Sequence, residues 1–154
     1  MWPESVIREK FPKPQKLLTS HILICEHVLN EKDDVFSVIR LVDLFTIRQP
    51  LPEQEKAGVQ ISALVQLKSQ IGDNQPHSFR LDLVRPNGET TLLMENPSVV
   101  IESKASNAPG GANLIVNIGV LLKQMGTHYF TLMVDGEEAC RAPFTLRLDE
   151  ASND

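Results

Sequence analysis

The C-terminal end of the chain has the apolar and polar pattern of two strands joined by a tight turn. Apolar side chains alternate with their neighbours along Gly126–Val134, and the alternation restarts along Phe144–Leu148. Between these segments, Asp135 and Gly136 supply the positive φ angles of a tight reversal. Period-two alternation on both sides of such a dipeptide is typical of an antiparallel β-hairpin. This end of the chain therefore predicts an antiparallel β domain.

Similar alternation, interrupted by turn residues, predicts eight or nine short strands in total. The predicted strands cover residues 20–29, 35–47, 59–68, 78–83, 90–94, 98–103, 114–120, 126–134 and 144–148. Pro86 to Glu89 is the strongest turn signal, Pro97 is expected to open a separate strand, and residues 105–113 predict a flexible loop. No helical period of useful length occurs. The expected fold is an antiparallel two-sheet sandwich, immunoglobulin-like in architecture.

Prolines and polar residues mark the expected limits of the domain. Three prolines within residues 1–19 predict an irregular lead-in, and two within residues 49–58 predict a loop, because proline cannot occupy a central strand. Residues 20–148 are expected to form a single β-sandwich domain. Residues 149–154 are polar and predict a disordered tail.

One predicted strand, Val35–Ile47, is apolar on both of its sides, with charges only at Arg40 and Asp43. A strand with one buried face shows a cleaner alternation. We therefore expect the second face to be covered. The sequence leaves two alternatives for what covers this face. It could be the lead-in of residues 1–19, or another protein chain, which includes a second copy of this one.

Length and charge narrow the class of protein. The 154 residues suffice for one domain with a sizeable core. The net charge of −5 and the scattered Lys and Arg disfavour nucleic acid and anionic membranes as partners. The N-terminus does not have the pattern of a secretory signal, and no stretch approaches the roughly 20 apolar residues of a membrane helix. These features predict a cytoplasmic protein in which Cys25 and Cys140 are unpaired thiols.

His21, Cys25 and His27 share one parity and are the first candidate for chemistry. On a strand, His21 and Cys25 are roughly 13 Å apart, and Cys25 and His27 roughly 7 Å apart. These separations do not suit zinc, whose ligand bonds are near 2 Å. No third group orients a Cys–His nucleophile pair. We expect ordinary sheet residues here.

Acidic residues near the first predicted turn, Glu31, Asp33 and Asp34, are the second candidate, with Asp73 or Asp135 as companions for calcium. Calcium needs six to eight oxygen ligands, and this short acidic run contains Lys32 and lacks EF-hand spacing. A solvated turn is the expected interpretation.

The remaining candidates are similarly weak. The glycine-rich stretch Ala108–Gly111 leads into neither a helix nor a Lys-Ser/Thr pair, so it predicts a connector and not a phosphate site. His77 and His128 have no carboxylate or cysteine partner at any motif spacing. Tyr129, the single tyrosine, is expected to pack within a strand and not to serve as a sugar platform. The sequence thus predicts no catalytic, cofactor-binding or metal-binding residues.

Several segments together carry a resemblance to a known family. They are Ile24–Asp34, Ser37–Phe45, the loop with Pro50 and Pro52, Phe79–Glu89 and Gly126–Gly136. Their order resembles a small bacterial family catalogued only as a domain of unknown function, over most of residues 20–148. The resemblance implies a compact bacterial β-sandwich and assigns no catalytic residues. The chain departs from the family pattern at Asp33-Asp34, where Asp-Gly is more usual.

The function predicted from these observations is a non-enzymatic interaction or accessory module without cofactors. Its partner is expected to be another protein or a second copy of the chain. The alternative is a small ligand-binding β domain. An enzyme is disfavoured, because the sequence supplies neither an acid–base pair nor a nucleophile in a plausible arrangement.

Overall fold

A computed structural model describes residues 18–48, 58–121 and 125–149. It confirms the all-β class and the packing of two sheets. The nine strands are β1 Leu18–Asn30, β2 Phe36–Leu41, β3 Leu44–Arg48, β4 Gly58–Ser69, β5 Pro76–Val84, β6 Thr90–Val100, β7 Gly111–Leu121, β8 Gly126–Val134 and β9 Glu137–Asp149. The one helical element in these ranges is a 3-10 turn at Lys32–Asp34.

The first sheet has four strands in the order β2-β1-β4-β7, and the second has five in the order β3-β9-β8-β5-β6. The pairings are antiparallel with one exception, the parallel pairing of β3 with β9. Three of the antiparallel pairs, β1–β2, β5–β6 and β8–β9, join consecutive strands, whereas β1–β4, β4–β7 and β5–β8 join strands that are distant in the chain. The parallel pair arises because the chain crosses from the first sheet to the second before β3. The sequence pattern did not predict this crossing.

The core lies between the two sheets and is formed by the inward-facing alternate residues of their strands. Phe130, Phe144 and Leu146 of the second sheet are at most 1% exposed. The ring of Phe144 contacts those of Phe45 and Phe130, with centroids 6.1 and 5.4 Å apart. Full burial of each such side chain stabilises the fold by about 1.5–3 kcal/mol. The second sheet therefore supplies much of the apolar contact that holds the domain together.

The prediction of a single strand over Val35–Ile47 is wrong. The chain leaves the first sheet after Leu41 and enters the second sheet at Leu44, so two short strands occupy the segment. Because the two strands belong to different sheets, the side that faces the protein interior changes between them.

The burial pattern shows this change of side. In β2 the even positions Phe36 and Val38 are half-buried, whereas in β3 the odd positions Phe45 and Ile47 are half-buried. A shift of one residue moves a strand's apolar set to the opposite face. This change of phase accounts for part of the apolar character on both sides of residues 35–47, and the exposed odd positions Val35, Ile39 and Leu41 account for the rest.

The prediction that Pro97 opens a separate strand is also wrong. Pro97 lies within β6, which continues from Thr90 to Val100. The pairing of β6 with β5 shifts register between His77 and Phe79 and again between Leu81 and Asp82. At each shift, β6 contains one extra residue, which is the geometry of a β-bulge. Proline is tolerated there because β6 is an edge strand among the described residues.

Three predicted segments lie largely outside the described residues. They are the lead-in, the loop of residues 49–58 and the C-terminal tail. The described chain begins in β1 at Leu18 and ends in β9 at Asp149. The loop predicted at residues 105–113 corresponds to the connection between β6 and β7, and β7 begins at Gly111 and not at Leu114.

Candidate interaction surface

The second half of β1 leaves its neighbour β4 and forms a hairpin with β2. Pairing between β1 and β4 runs from Leu18 to Cys25, whereas pairing between β1 and β2 runs from Cys25 to Asn30. Residues 26–41, here called the β1–β2 hairpin, are therefore held by β1–β2 pairing alone. Ser62 of β4 marks the point of departure, because its Oγ donates a hydrogen bond of 3.1 Å to the carbonyl oxygen of Glu26.

The tip of this hairpin lies next to the connection between β6 and β7. Lys104 Nζ is 3.2 Å from Asp34 Oδ2. The tip and the connection enclose an open cavity of about 440 Å³, lined by Asp34, Phe36, Lys104, Ala105, Ala108, Pro109, Gly111 and Asn113. Gly111 in turn pairs with Lys68, close to where β1 begins. The tip has thus returned to the end of the sheet from which β1 started.

A straight strand would not allow this return. At about 3.3 Å per residue, β1 would carry its end roughly 30 Å or more from its first residues. The hairpin must fold back toward that end of the first sheet, and the hydrogen bond from the hydroxyl of Ser62 marks where it leaves β4. Leu64 and Cys25, whose side chains lie on the face of the first sheet opposite the core, are 2% and 0% exposed. Leu41 is paired with Cys25 and shares its face, so the hairpin continues that outer face into solvent.

Four apolar side chains on the solvent side of the hairpin remain exposed. Leu29, Val35, Ile39 and Leu41, here called the hairpin patch, are 48%, 54%, 38% and 67% exposed. The alternate residues Val28, Phe36 and Val38 are half-buried. Alternation thus places one side of the hairpin toward the protein and leaves the other apolar side in solvent. A cluster of exposed apolar residues on one short element is typical of a protein contact surface.

Arg40 interrupts the edge of the patch. Its φ angle is +54°, in the left-handed region that a residue with a side chain adopts rarely. Its guanidinium Nη1 lies 3.3 Å from Glu26 Oε2. Asp33 and Asp34 at the tip also have positive φ angles, of 65° and 57°. Asp tolerates this conformation better than most residues, which explains how the tip turns without the more usual glycine.

A buried histidine between two carboxylates is the most organised polar cluster of the described residues. His77, at the start of β5, is 4% exposed. Its Nδ1 lies 2.7 Å from Asp135 Oδ2 and its Nε2 lies 2.9 Å from Asp73 Oδ2. Asp135 also accepts a hydrogen bond from the backbone amide of Ser78, and Asp73 accepts one from that of Gln75. We call Asp73, His77 and Asp135 the histidine clamp.

The geometry of the clamp favours a charged imidazole ring. Two ionised carboxylates accept hydrogen bonds, and only a protonated ring donates from both nitrogens. Burial lowers the pKa of His77, but its hydrogen bonds to Asp135 and Asp73 outweigh burial, and the net shift is upward. For Asp135, burial raises the pKa, but the hydrogen bond to His77 and that from Ser78 make the net shift downward. The clamp ties the turn before β5 to the β8–β9 turn.

The clamp corrects the expectation that His77 lacks a carboxylate partner. Its partners lie four residues before it and 58 residues after it. The second of these separations arises only when the β8–β9 turn reaches β5. Since both ring nitrogens are occupied, the clamp leaves no free nitrogen to take a proton from a substrate. His128, by contrast, is stacked on Phe144 with centroids 5.0 Å apart, and burial lowers its pKa.

The sequence candidates for a zinc site do not converge. His21 and His27 are exposed, whereas Cys25 is buried and its thiol donates to the carbonyl oxygen of Ser62 at 3.5 Å. Burial raises the pKa of the thiols of Cys25 and Cys140, and both cysteines are free. Within the described ranges, no group of three or more His, Cys, Asp and Glu side chains could hold a metal ion.

The calcium candidates separate into two places. Asp34 pairs with Lys104 at the hairpin tip, whereas Asp73 and Asp135 form the histidine clamp. The glycine-rich stretch is a tightly packed connection, because a Cβ on Gly110 would approach the carbonyl oxygen of Ile101 to 2.5 Å. The ring of Tyr129 is half-buried beneath the guanidinium of Arg141, 5.2 Å from its centroid.

Sequence reasoning found part of the hairpin patch and missed the rest. Val35, Ile39 and Leu41 belong to the segment singled out for its apolar character. The sequence pattern did not mark Leu29 as exposed, because its exposure depends on how the hairpin folds back. In the part of the chain that the structure describes, no helix has the length and apolar character needed to cross a membrane.

Comparisons with known proteins identify a family and leave the activity open. Residues 20–147 match the model of a family described as "Family of unknown function (DUF6941)". No curated protein matches the sequence. Among solved structures, an alkylpurine DNA glycosylase, AlkC, from Pseudomonas fluorescens, bound to DNA containing an abasic site analog, is similar with a TM-score of 0.45 and 14% identity. The match covers 85% of this chain and 30% of the glycosylase chain.

Proposed function

The chain belongs to DUF6941, a family of unknown function, and we propose that it is a non-enzymatic interaction module whose contact surface is the hairpin patch. The observation that carries the proposal is the exposure of Leu29, Val35, Ile39 and Leu41 on one side of a single hairpin. Removal of apolar surface from water is favourable by about 25 cal/mol per Å², and this gain must exceed the entropy that two molecules lose when they associate. The bacterial origin and the cytoplasmic location stay predictions of the sequence.

The position of the patch suits a contact surface. The β1–β2 hairpin is paired to the rest of the first sheet only up to Cys25, and its tip is held by the exposed pair of Lys104 and Asp34. Substitutions on its solvent side should therefore leave the core unchanged. Charged residues at the edge of the patch, Arg40 and Glu26, give it the polar rim that is common around apolar contact surfaces.

A second candidate function is the binding of a small ligand. The cavity at the hairpin tip favours it, since about 440 Å³ lies within the range of known ligand sites. Lys104 would supply positive charge, but it already pairs with Asp34. Native mass spectrometry of the purified protein separates the two functions, because a ligand-binding domain would retain a small molecule of constant mass.

Site-specific photo-crosslinking in the native cell tests the interaction function. A photoreactive residue at Ile39 should give a discrete protein adduct, and Leu41→Asp in the same chain should abolish it. Leu92→Asp is the matched control, because Leu92 is 47% exposed on β6 of the other sheet. Circular dichroism and urea unfolding would establish that both variants fold. An adduct that survives Leu41→Asp, or no adduct beyond that from a photoreactive residue at position 92, would contradict the proposal.

A further inference from the structure

The described residues leave four edge strands, and three of them carry features that discourage pairing with another chain. β6 contains Pro97 and two bulges. β3 has only five residues. β2 has six residues and is distorted by the positive φ angle of Arg40. Short length, proline, bulges and charge are the devices that protect sheet edges in natural proteins.

The fourth edge strand, β7, has none of these features. It is eleven residues long and pairs with β4 over eleven consecutive positions without a register shift. Its sequence, from Gly111 to Leu121, contains no charged residue and no proline. One side of its backbone pairs with β4, and among the described residues it has no neighbour on its other side. A long, regular and uncharged edge is a template for strand addition.

The side chains of β7 suit pairing with an identical strand. Ala112, Leu114, Val116 and Ile118 pack against the core on one face, and all but Val116 are only partly buried. Directly opposed residues of neighbouring strands point to the same face. Around a two-fold axis perpendicular to the sheet, the apolar row of one copy therefore meets the apolar row of the other. Each copy would cover the partly exposed edge of the other's core.

The uncharged edge of β7 removes the main electrostatic obstacle to pairing with a second copy. A chain with a net charge of −5 repels its own copies, so self-association requires a surface free of like charge. The outward-facing residues Asn113, Ile115 and Asn117 are uncharged, and Gln66 and Ser62 of β4 opposite them are also neutral. An antiparallel β7–β7 pair therefore brings no charged residue of either strand against its equivalent.

We propose that two copies of the chain associate through β7, edge to edge and antiparallel, which joins their first sheets into one continuous eight-stranded sheet. The contact is isologous, as expected for a two-fold dimer. It lies on a different strand from the hairpin patch, and the patch of each copy stays available for the partner of the proposed function.

Light scattering coupled to size exclusion, from about 1 µM to about 1 mM protein, tests the proposal. The wild-type chain should form a dimer. Ile115→Lys places a charge near the middle of β7 in each copy and should raise the dimer Kd by about tenfold or more, because like charges on paired strands repel. Asn113→Lys is a gentler second variant at an exposed position, and should weaken the dimer in the same direction. Ser98→Lys, on the protected edge strand β6, is the matched control and should leave the Kd within about twofold.

Hydrogen exchange at low and high protein concentration locates the contact. Amides of residues 111–119 should gain protection as the dimer forms, whereas those of residues 36–41 should not. A wild-type chain that stays monomeric over the whole concentration range would overturn the proposal. So would a dimer insensitive to both lysine variants, or one that protects residues 36–41 and is abolished by Leu41→Asp. The last result would support the hairpin patch while removing the β7 contact.

Discussion

The β1–β2 and β8–β9 hairpins are built from the same alternation of apolar and polar residues, but they bury it to different extents. In β8–β9, Phe130 and Phe144 are completely buried beneath the first sheet. In β1–β2, Ile39 and Leu41 are 38% and 67% exposed. Apolar surface stabilises the fold only where it is removed from water. The comparison places stability mainly on one hairpin and the proposed contact on the other.

The turns of the two hairpins are anchored by ion pairs of opposite character. The β8–β9 turn is held by Asp135, whose side chain is 53% exposed, through its bond to His77, whose side chain is 5% exposed. The β1–β2 turn is held by Lys104 and Asp34, whose side chains are 85% and 78% exposed. Exposed pairs contribute about 0–1 kcal/mol, whereas loss of one member of a buried pair costs several times more. The β8–β9 turn, whose pair has one buried member, is thus held more firmly than the β1–β2 turn, whose pair is exposed.

The largest test of this comparison replaces one apolar side chain in each hairpin. Phe144→Ala should lower the free energy of unfolding by about 3–5 kcal/mol, because it leaves a cavity beside Phe45, Phe130 and His128. Leu41→Ala should change it by less than about 0.5 kcal/mol, because the side chain lies in solvent. Urea unfolding followed by circular dichroism measures both. Equal losses would show that the hairpin patch is part of the stabilising core.

The clamp should make stability depend on pH in a defined direction. Because the pKa of His77 is raised above 6.5 in the folded state, its contribution is fully present below pH 6.5 and is lost as pH rises through the folded value. The lowered pKa of Asp135 gives a contribution that is present above pH 3.8 and is lost as pH falls through the folded value. His128 acts oppositely to His77: its lowered pKa gives stability that is full above pH 6.5 and declines below it.

Urea unfolding from about pH 5 to about pH 9 of the wild type and His77→Gln isolates the clamp. At about pH 6, His77→Gln should lower the free energy of unfolding by about 2 kcal/mol, since charged hydrogen bonds to two carboxylates are lost. The difference between the two proteins should shrink as pH rises above 6.5. Lys104→Ala, at the other turn, is the matched control and should cost less than about 1 kcal/mol. If the free energies of unfolding of the wild type and His77→Gln differ by the same amount over the whole pH range, His77 is not charged in the folded protein.

The smallest expected effect is at the tip of the β1–β2 hairpin. Asp33→Gly should raise the free energy of unfolding by up to about 1 kcal/mol, because the φ angle of 65° is strained for a residue with a side chain and free for glycine. Asp135→Gly at the other turn is the contrasting variant. It also relieves the strain of a positive φ angle, of 50°, but it should destabilise the protein, since the carboxylate that binds His77 is lost. If both variants stabilise the protein, the two turns are equivalent and the comparison fails.

Local pattern predicted the fold where neighbouring strands pair through their own turns. The Asp135-Gly136 reversal, with φ angles of 50° and 80°, is the clearest case. Prediction failed where geometry depends on distant parts of the chain. The break at Val42 and Asp43 requires knowledge of two sheets, because each half of the segment is a good strand by itself. Pro97 was misplaced because a bulged edge strand accommodates it.

The candidate sites, like the fold, could be predicted only where they depend on residues that are close in the sequence. The unmatched alternation of residues 35–47 drew attention to Ile39 and Leu41, but the folding back of the hairpin, which exposes Leu29 with them, depends on residues near 104–113. The histidine clamp joins side chains 58 positions apart, and no local spacing reports such a contact. The uncharged character of β7 is visible in the sequence. Its meaning, however, depends on the sheet order that makes β7 an edge.

The parallel pairing of β3 with β9 also sets the order in which the domain can be completed during synthesis. Leu44 pairs with Thr145, and Thr46 accepts a hydrogen bond from Arg147 that spans 101 positions of the chain. A ribosome delivers β3 long before β9, so this edge of the second sheet cannot form until β9 has emerged. Contacts of such long sequence separation slow folding, because a large loop must close before they form. The segment that crosses between the sheets is therefore made well before the strand that secures it.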